Sequence, residues 1–166
     1  MKSVEDIIVA LSLSPHPEGG WYRRTYESII QVDSLCGNRP CGTSILYLLQ
    51  KGEVSCLHQL DADETWYFHE GAPLELHLFG KHKYQSLLLG SSNYGENSHL
   101  QITIPAGTIF GALPIASSDQ LYSLASCSVC PGFIDAGFSW AQIPVLTQKF
   151  EKYSDIIEKL SPPVES

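Results

Sequence analysis

Residues 52–71 read GEVSCLHQLDADETWYFHEG, and their reading decides the fold. A glycine opens the stretch, His58 follows after five residues, and the acidic turn DADE ends on Glu64. The aromatic run WYFH then leads to Gly71. β-Branched and aromatic runs bounded by turn residues read as strands. Two short strands around a turn bring one imidazole and one carboxylate together, so chemistry or binding is expected beside His58 and Glu64.

Outward from this stretch the chain is a series of short strands. Upstream, Ser3 with Asp6 forms a capping box, and Ile7, Ile8 and Leu11 share a helical face, predicting a helix over residues 4–11. The segment SPHPEGG must turn. Residues 20–30 (GWYRRTYESII) read as a strand with Trp21, Arg23 and Thr25 on one face and Tyr22, Arg24 and Tyr26 on the other. DSLCGNRPCGT is rich in turn formers, and TSILYLLQ after it is a strand. Downstream, PLELHLF, KYQSLLL, HLQITIP, the end of PAGTIFGALP and LYSLASCSV are further strands. Phe150, Tyr153, Ile157 and Leu160 recur at helical spacing, so a helix is expected over about 148–160. Turn signals every eight to twelve residues indicate an antiparallel sandwich or barrel. The expectation is one mainly β domain over 1–166, with its core at about 18–146 and a short helix at each end.

Composition narrows the functions. The formal net charge of -8 on 166 residues argues against a partner that is nucleic acid, since that needs a basic face. No apolar run approaches the length of a membrane span, and MKSVEDIIVALSL does not read as a secretory signal. Five cysteines suggest no framework of bridges, and a reducing, cytoplasmic setting is the simplest account. Cys127 and Cys130 form a C-x-x-C on a strand, where residues three apart face opposite ways, so they read as buried structural cysteines. Cys36 and Cys41 flank the turn GNRP and receive no function.

The opening stretch resembles the first signature of the cupins. That pattern runs Gly, five residues, His-x-His, three or four residues, Glu, six residues, Gly. Gly52, His58, Glu64 and Gly71 fall at these spacings, while Leu60 stands at the second histidine. Pro105-Ala106-Gly107 matches the second signature, but Phe110 stands at its histidine and Pro114 at the later asparagine. The segments PHPEGGWYRRTY, HQLDADETWYF, GAPLELHLF, IPAGTIFGA and SCSVCPGF are similar to an uncharacterised cupin subgroup, a domain of unknown function related to the deoxy-sugar epimerase-like cupins. In that subgroup the position of Arg24 is often Glu. The resemblance implies a jelly-roll β-barrel (a double-stranded β-helix) and a homodimer.

For the site, a catalytic metal in cupins takes three imidazoles and a carboxylate, and of that set only His58 and Glu64 remain. Leu60 and Phe110 have no electron pair to donate. His69 falls on the strand face opposite Glu64, and His77 lies beyond the Gly71 turn. The expectation is no metal cofactor. The alternation places Trp66 and Phe68 on the face of Glu64, and Phe110 joins them in an aromatic wall suited to a sugar ring or a base. Trp21, Tyr22, Arg23 and Arg24 are further ligand-binding candidates, the arginines toward phosphate, with Gly19-Gly20 allowing close backbone approach. The favoured reading is a metal-independent protein binding a sugar, nucleotide or nucleotide-sugar in the barrel. The alternatives are an isomerase or epimerase with His58 as general base, and a metal-dependent enzyme. In the isomerase reading Glu64, Asp61 or Asp63 holds the other nitrogen of His58, and one of eight tyrosines is the acid.

Overall fold

The computed structural model describes residues 3–117 and 120–162. The elements are α1 (Val4–Leu11), β1 (Ser14–Pro15), β2 (Trp21–Glu27), β3 (Gln31–Ser34), β4 (Gly37–Pro40), β5 (Thr43–Gln50), β6 (Ser55–Leu60) and β7 (Asp63–Gly71). They continue with β8 (Leu74–Phe79), β9 (Tyr84–Leu89), β10 (Ser98–His99), β11 (Gln101–Ile104), β12 (Ile109–Pro114), β13 (Tyr122–Cys130), β14 (Phe138–Trp140), α2 (Ile143–Lys149) and α3 (Ser154–Lys159). Two six-stranded sheets form, in the orders β1-β2-β5-β13-β7-β11 and β10-β9-β8-β12-β6-β14. The two sheets are not hydrogen-bonded into a closed cylinder. This is the mainly β fold that the strand pattern implied, and the jelly roll that the resemblance implied.

Alternation along the strands makes two surfaces of each sheet. Tyr47, Leu49, Trp66, Leu76, Ile102 and Phe110 face inward and form one buried cluster. On the outside of the first sheet, Leu48 and Leu124 pack with Ile7 of α1 and with Trp21. On the outside of the second, Leu57 and Phe79 pack with Leu146, Phe150, Ile157 and Leu160 of the C-terminal segment. Each terminal helix thus covers one sheet.

Three local expectations are corrected. The stretch DSLCGNRPCGT holds the β3–β4 hairpin, with Ser34 paired to Gly37 and its hydroxyl donating to the Gly37 carbonyl at 2.7 Å. The C-terminal helix begins earlier, at Ile143, because Pro144 suits a first helical turn. It breaks at Phe150, whose ring is buried against Phe79 at 5.3 Å, and resumes at Ser154. Both cysteines of the C-x-x-C were expected to be buried; Cys127 is, but Cys130 is exposed, because residues three apart on a strand face opposite ways.

Arg39 of β4 fastens the site end of the molecule and is 2% exposed. Its Nε donates to the Gly132 carbonyl at 2.6 Å, and its Nη1 reaches both Asp61 oxygens at 2.8 Å. Burial pushes the Asp61 carboxyl up, but the bonds from Arg39 and the Cys36 side chain outweigh it and hold it below the usual range. Removing one partner of such a pair leaves an uncompensated charge. Arg39→Met is expected to lower stability by about 2–3 kcal/mol in urea unfolding, less than for a fully buried pair because Asp61 is partly exposed.

Candidate ligand site in the barrel

Five elements converge on a cavity of about 290 Å³ between the two sheets. β7 presents Glu64 and Trp66, β6 presents His58 and Leu60, and β5 presents Ile45 and Tyr47. β2 contributes Tyr22 and Arg24, and the loop before it contributes His16 and Glu18. Cys127 from β13 and Phe133, Asp135 and Phe138 from the chain after it complete the wall.

A β-bulge aims the β6 side chains. Phe110 pairs with His58 but Ala112 pairs with Ser55, so two β6 residues oppose Gly111 alone. The extra residue reverses the alternation, and Ser55 and His58 both turn inward three positions apart. Gly111 permits this fit, since a Cβ there would meet the Ser55 carbonyl oxygen at 2.8 Å.

The loop PHPEGG sets Glu18. Its carbonyl accepts from the Cys56 N–H at 2.8 Å, and its own N–H donates to His16 Nδ1 at 3.1 Å. Tyr47 donates its hydroxyl to the Gly19 carbonyl at 2.6 Å. Gly19 has φ +105 and lies so close to β6 that a Cβ would meet the Val54 carbonyl oxygen at 2.2 Å. The two glycines were expected to let a phosphate approach; instead they let the loop lie against the protein's own backbone. The Glu18 carboxylate ends 3.4 Å from His58 Nε2.

His58 is 1% exposed and its tautomer follows from its partners. Nδ1 lies 2.7 Å from the Cys56 carbonyl oxygen, which only accepts, so Nδ1 carries the proton and Nε2 offers its lone pair toward Glu18. Burial pulls His58 down to about 4, the Cys56 carbonyl partly opposing, and burial likewise pulls His16 to about 4. Burial, and next the neighbouring Glu64, push Glu18 well above the carboxylate range, with the Ser55 hydroxyl acting against them. Glu18 and His58 therefore meet as a neutral acid and a neutral base. Glu64 is pushed up to about 7 by burial, opposed in part by the neighbouring Trp66 indole and Cys127 thiol.

Of the residues selected from sequence, His58, Glu64, Trp66, Tyr22 and Arg24 line the cavity. Trp21 does not: it packs outside the first sheet with α1. Arg23 shares that outward face and is exposed. Phe68 follows Trp66 on the inner face but sits one step too deep, against Tyr94 at 6.3 Å. Phe110 is buried behind the site, its ring 4.3 Å from that of His58. The partner of His58 is Glu18, not Glu64, Asp61 or Asp63: Asp61 binds Arg39, and Asp63 accepts from the Ala106 N–H at 2.8 Å. His69 lies on the outer surface, bonded to the Ser126 hydroxyl. His16, Glu18, Tyr47, Cys127, Asp135, Phe133 and Phe138 went unselected; only the PHPEGG loop carried a signal, a polar pair beside glycines with no helix or strand to explain them.

Residues 5–141 match the family described as cupin superfamily (DUF985). The chain belongs to that family. No curated protein matches this cupin. It is similar to a hypothetical protein from Leishmania major, with 33% identity, TM-score 0.87, and coverage of 96% of this chain and 99% of that one. A protein of Shewanella oneidensis gives 34% identity and TM-score 0.87, over 98% and 99% of the two chains. Oxalate decarboxylase from Bacillus subtilis shares the fold at 12% identity and TM-score 0.54, over 89% of this chain and 36% of that one.

Cupin metal centres need at least three donors grouped about one point, and the donors that line this cavity are not so grouped. Leu60 and Phe110 occupy two of the ligand positions, and among the described residues no three His, Cys, Asp or Glu side chains are grouped to hold an ion. The donor set does not fit such a metal.

Two opposing pH effects follow. Glu64, raised to about 7 from 4.5, holds its proton more tightly in the fold, so its contribution is full below about pH 4.5 and is lost as pH rises through 7. His16 and His58, lowered to about 4 from 6.5, contribute fully above pH 6.5 and lose that contribution as pH falls to 4. Relative to wild type, Glu64→Gln is expected to gain stability by about 1–3 kcal/mol between about pH 5 and about pH 8. Urea titrations across that range read it; a pH-independent difference would contradict the burial argument.

Proposed function

We propose that this cupin binds a sugar-sized polar molecule in its barrel without a metal ion. One observation supports the reading above others: Glu64 Oε2 and Trp66 Nε1 are buried at the cavity wall, and neither is within hydrogen-bond geometry of any described residue. Burial raises the Glu64 carboxyl, and the indole and the Cys127 thiol nonetheless lie close enough to draw it part of the way down. Buried polar atoms are nearly always satisfied, and each orphan calls for an explanation. A ligand bearing both a donor and an acceptor satisfies the two at once. At about 290 Å³ the cavity lies at the small end of ligand sites. A sugar ring fits such a space, whereas the nucleotide of a nucleotide-sugar would extend past Arg24 at the rim. Arg24 is tied to Glu27 at 2.6 Å and lies 5.9 Å from the Phe133 ring centre.

A second reading, sugar isomerisation or epimerisation, draws on the facing Glu18 and His58. A general base needs a lone pair near the proton it takes, and His58 Nε2 points into the cavity through Glu18. Deuterium from solvent would then enter the substrate beside its carbonyl, and loss of exchange in Glu18→Gln would separate catalysis from binding.

The proposal extends to a homodimer. Beyond Tyr22, β2 has no strand on the side away from β5 among the described residues, and such an edge invites pairing. Ile29, Ile30 and Leu35 are exposed nearby in sequence. A cytoplasmic setting fits five cysteines with no bridge between them. Among the described residues no helix is long and apolar enough to cross a membrane.

The test is thermal shift with monosaccharides and nucleotide-sugars. A bound ligand raises the melting temperature by mass action. Arg24→Ala is expected to reduce the shift from nucleotide-sugars while leaving that from monosaccharides. No shift from either class would remove the reading.

A further inference from the structure

We infer that the ligand of this cavity carries a protonated amine, seated between Glu64 and Glu18 and enclosed by aromatic rings. The inference rests on the reading of the barrel as a small-ligand site and names the chemistry of the ligand.

The groups of the wall point to a cation, which would meet acids able to ionise and no buried positive charge. Glu18, Glu64 and Asp135 are its acids, and Arg24 is its one guanidinium among the described residues. Arg24 is paired with Glu27 and its side chain is 35% exposed, so its charge lies at the rim and not inside the cavity. His16 and His58 are held neutral by burial and offer no positive charge inside. A phosphate or carboxylate entering this space would meet carboxyl groups and find no deep cation. An ammonium group would meet the unpartnered Glu64 Oε2.

The aromatic wall suits the same guest. Cations are attracted to ring faces within about 6 Å, most strongly to Trp. Tyr47 and Trp66 meet edge to face at 78° with centroids 5.4 Å apart, forming a corner. Tyr22 lies on the neighbouring strand, and Phe138 closes the side of His58, stacked on it at 5.5 Å. Acids beside rings in a closed pocket favour a desolvated cation over a neutral polyol.

Binding of such a guest has a proton signature. Glu64 is faced by Cys127 from β13, Tyr47 from β5, Glu18 from the PHPEGG loop and Trp66 on its own strand, none of them cationic. An incoming ammonium favours the ionised carboxylates. Below the pKa of Glu64 the protein therefore releases a proton as the cation enters.

Titration calorimetry of the whole chain at about pH 6 tests this with glucose, glucosamine, glucuronate and tetramethylammonium, each in two buffers of different ionisation enthalpy. Glucosamine is expected to bind at least about tenfold more tightly than glucose, with proton release that Glu64→Gln reduces. Tetramethylammonium binding, abolished or weakened by Glu64→Gln, supports the cation even where none of the three sugars binds, and in that case the sugar reading fails alone. Glucose or glucuronate binding as tightly as glucosamine overturns the cation and leaves the small-ligand reading standing. No binding by any of the four overturns both. A folded Glu64→Gln protein, checked by its unfolding transition, keeps the comparison valid.

Discussion

The site depends on the burial of Glu18 against His58. A carboxyl taken out of water is costly when charged, and the fold meets that cost by keeping it neutral beside a neutral imidazole. Neither residue would hold its place alone. Glu18 is gripped through both of its backbone groups, by Cys56 and His16, and Tyr47 anchors the next residue. His58 is oriented by the Cys56 carbonyl. Cys56 thus serves both partners, donating its N–H to Glu18 and accepting from His58. A bulge in β6 is what places that residue to do so.

The surrounding shell is built to be rigid. Gly19 lies against Val54 and Gly111 against Ser55, close enough that side chains are forbidden at both. Arg39 draws together the β6–β7 turn and the chain after β13, which carries Phe133 to the cavity wall. Against this rigidity, the unpaired Glu64 oxygen and Trp66 nitrogen stand out. Protein interiors satisfy polar atoms wherever packing allows, and exceptions concentrate where something else completes them. Leu60 and Phe110 stand at two positions where the cupin signatures carry histidine. Phe110 packs on His58, the two ring centres 4.3 Å apart.

Legibility differed by residue, for physical reasons. Glu64, Trp66 and Phe68 were correctly assigned to one face because β7 alternates without interruption through them. Depth along the strand was not legible, and Phe68 lies one pleat beyond the cavity. Tyr22 and Arg24 were separated from Trp21 and Arg23 by the same alternation, but which face was inner depended on α1 covering Trp21. The hairpin within DSLCGNRPCGT was hidden because Gly, Asn and Pro mark turns equally well inside and outside strands.

The sequence by itself determined a mainly β sandwich or barrel and its central pair of strands, since period-two patterning and glycine spacing are local properties of the chain. The cupin resemblance narrowed this to a jelly roll. It also determined that two metal donors are missing, which is a matter of side-chain chemistry alone. Only the tertiary structure decided that His58 is partnered by Glu18, 40 residues earlier, rather than by the acids of its own turn. That pairing depends on sheet order, on a bulge and on a loop folded over β5 and β6. None of these leaves a periodic trace in the residues that meet.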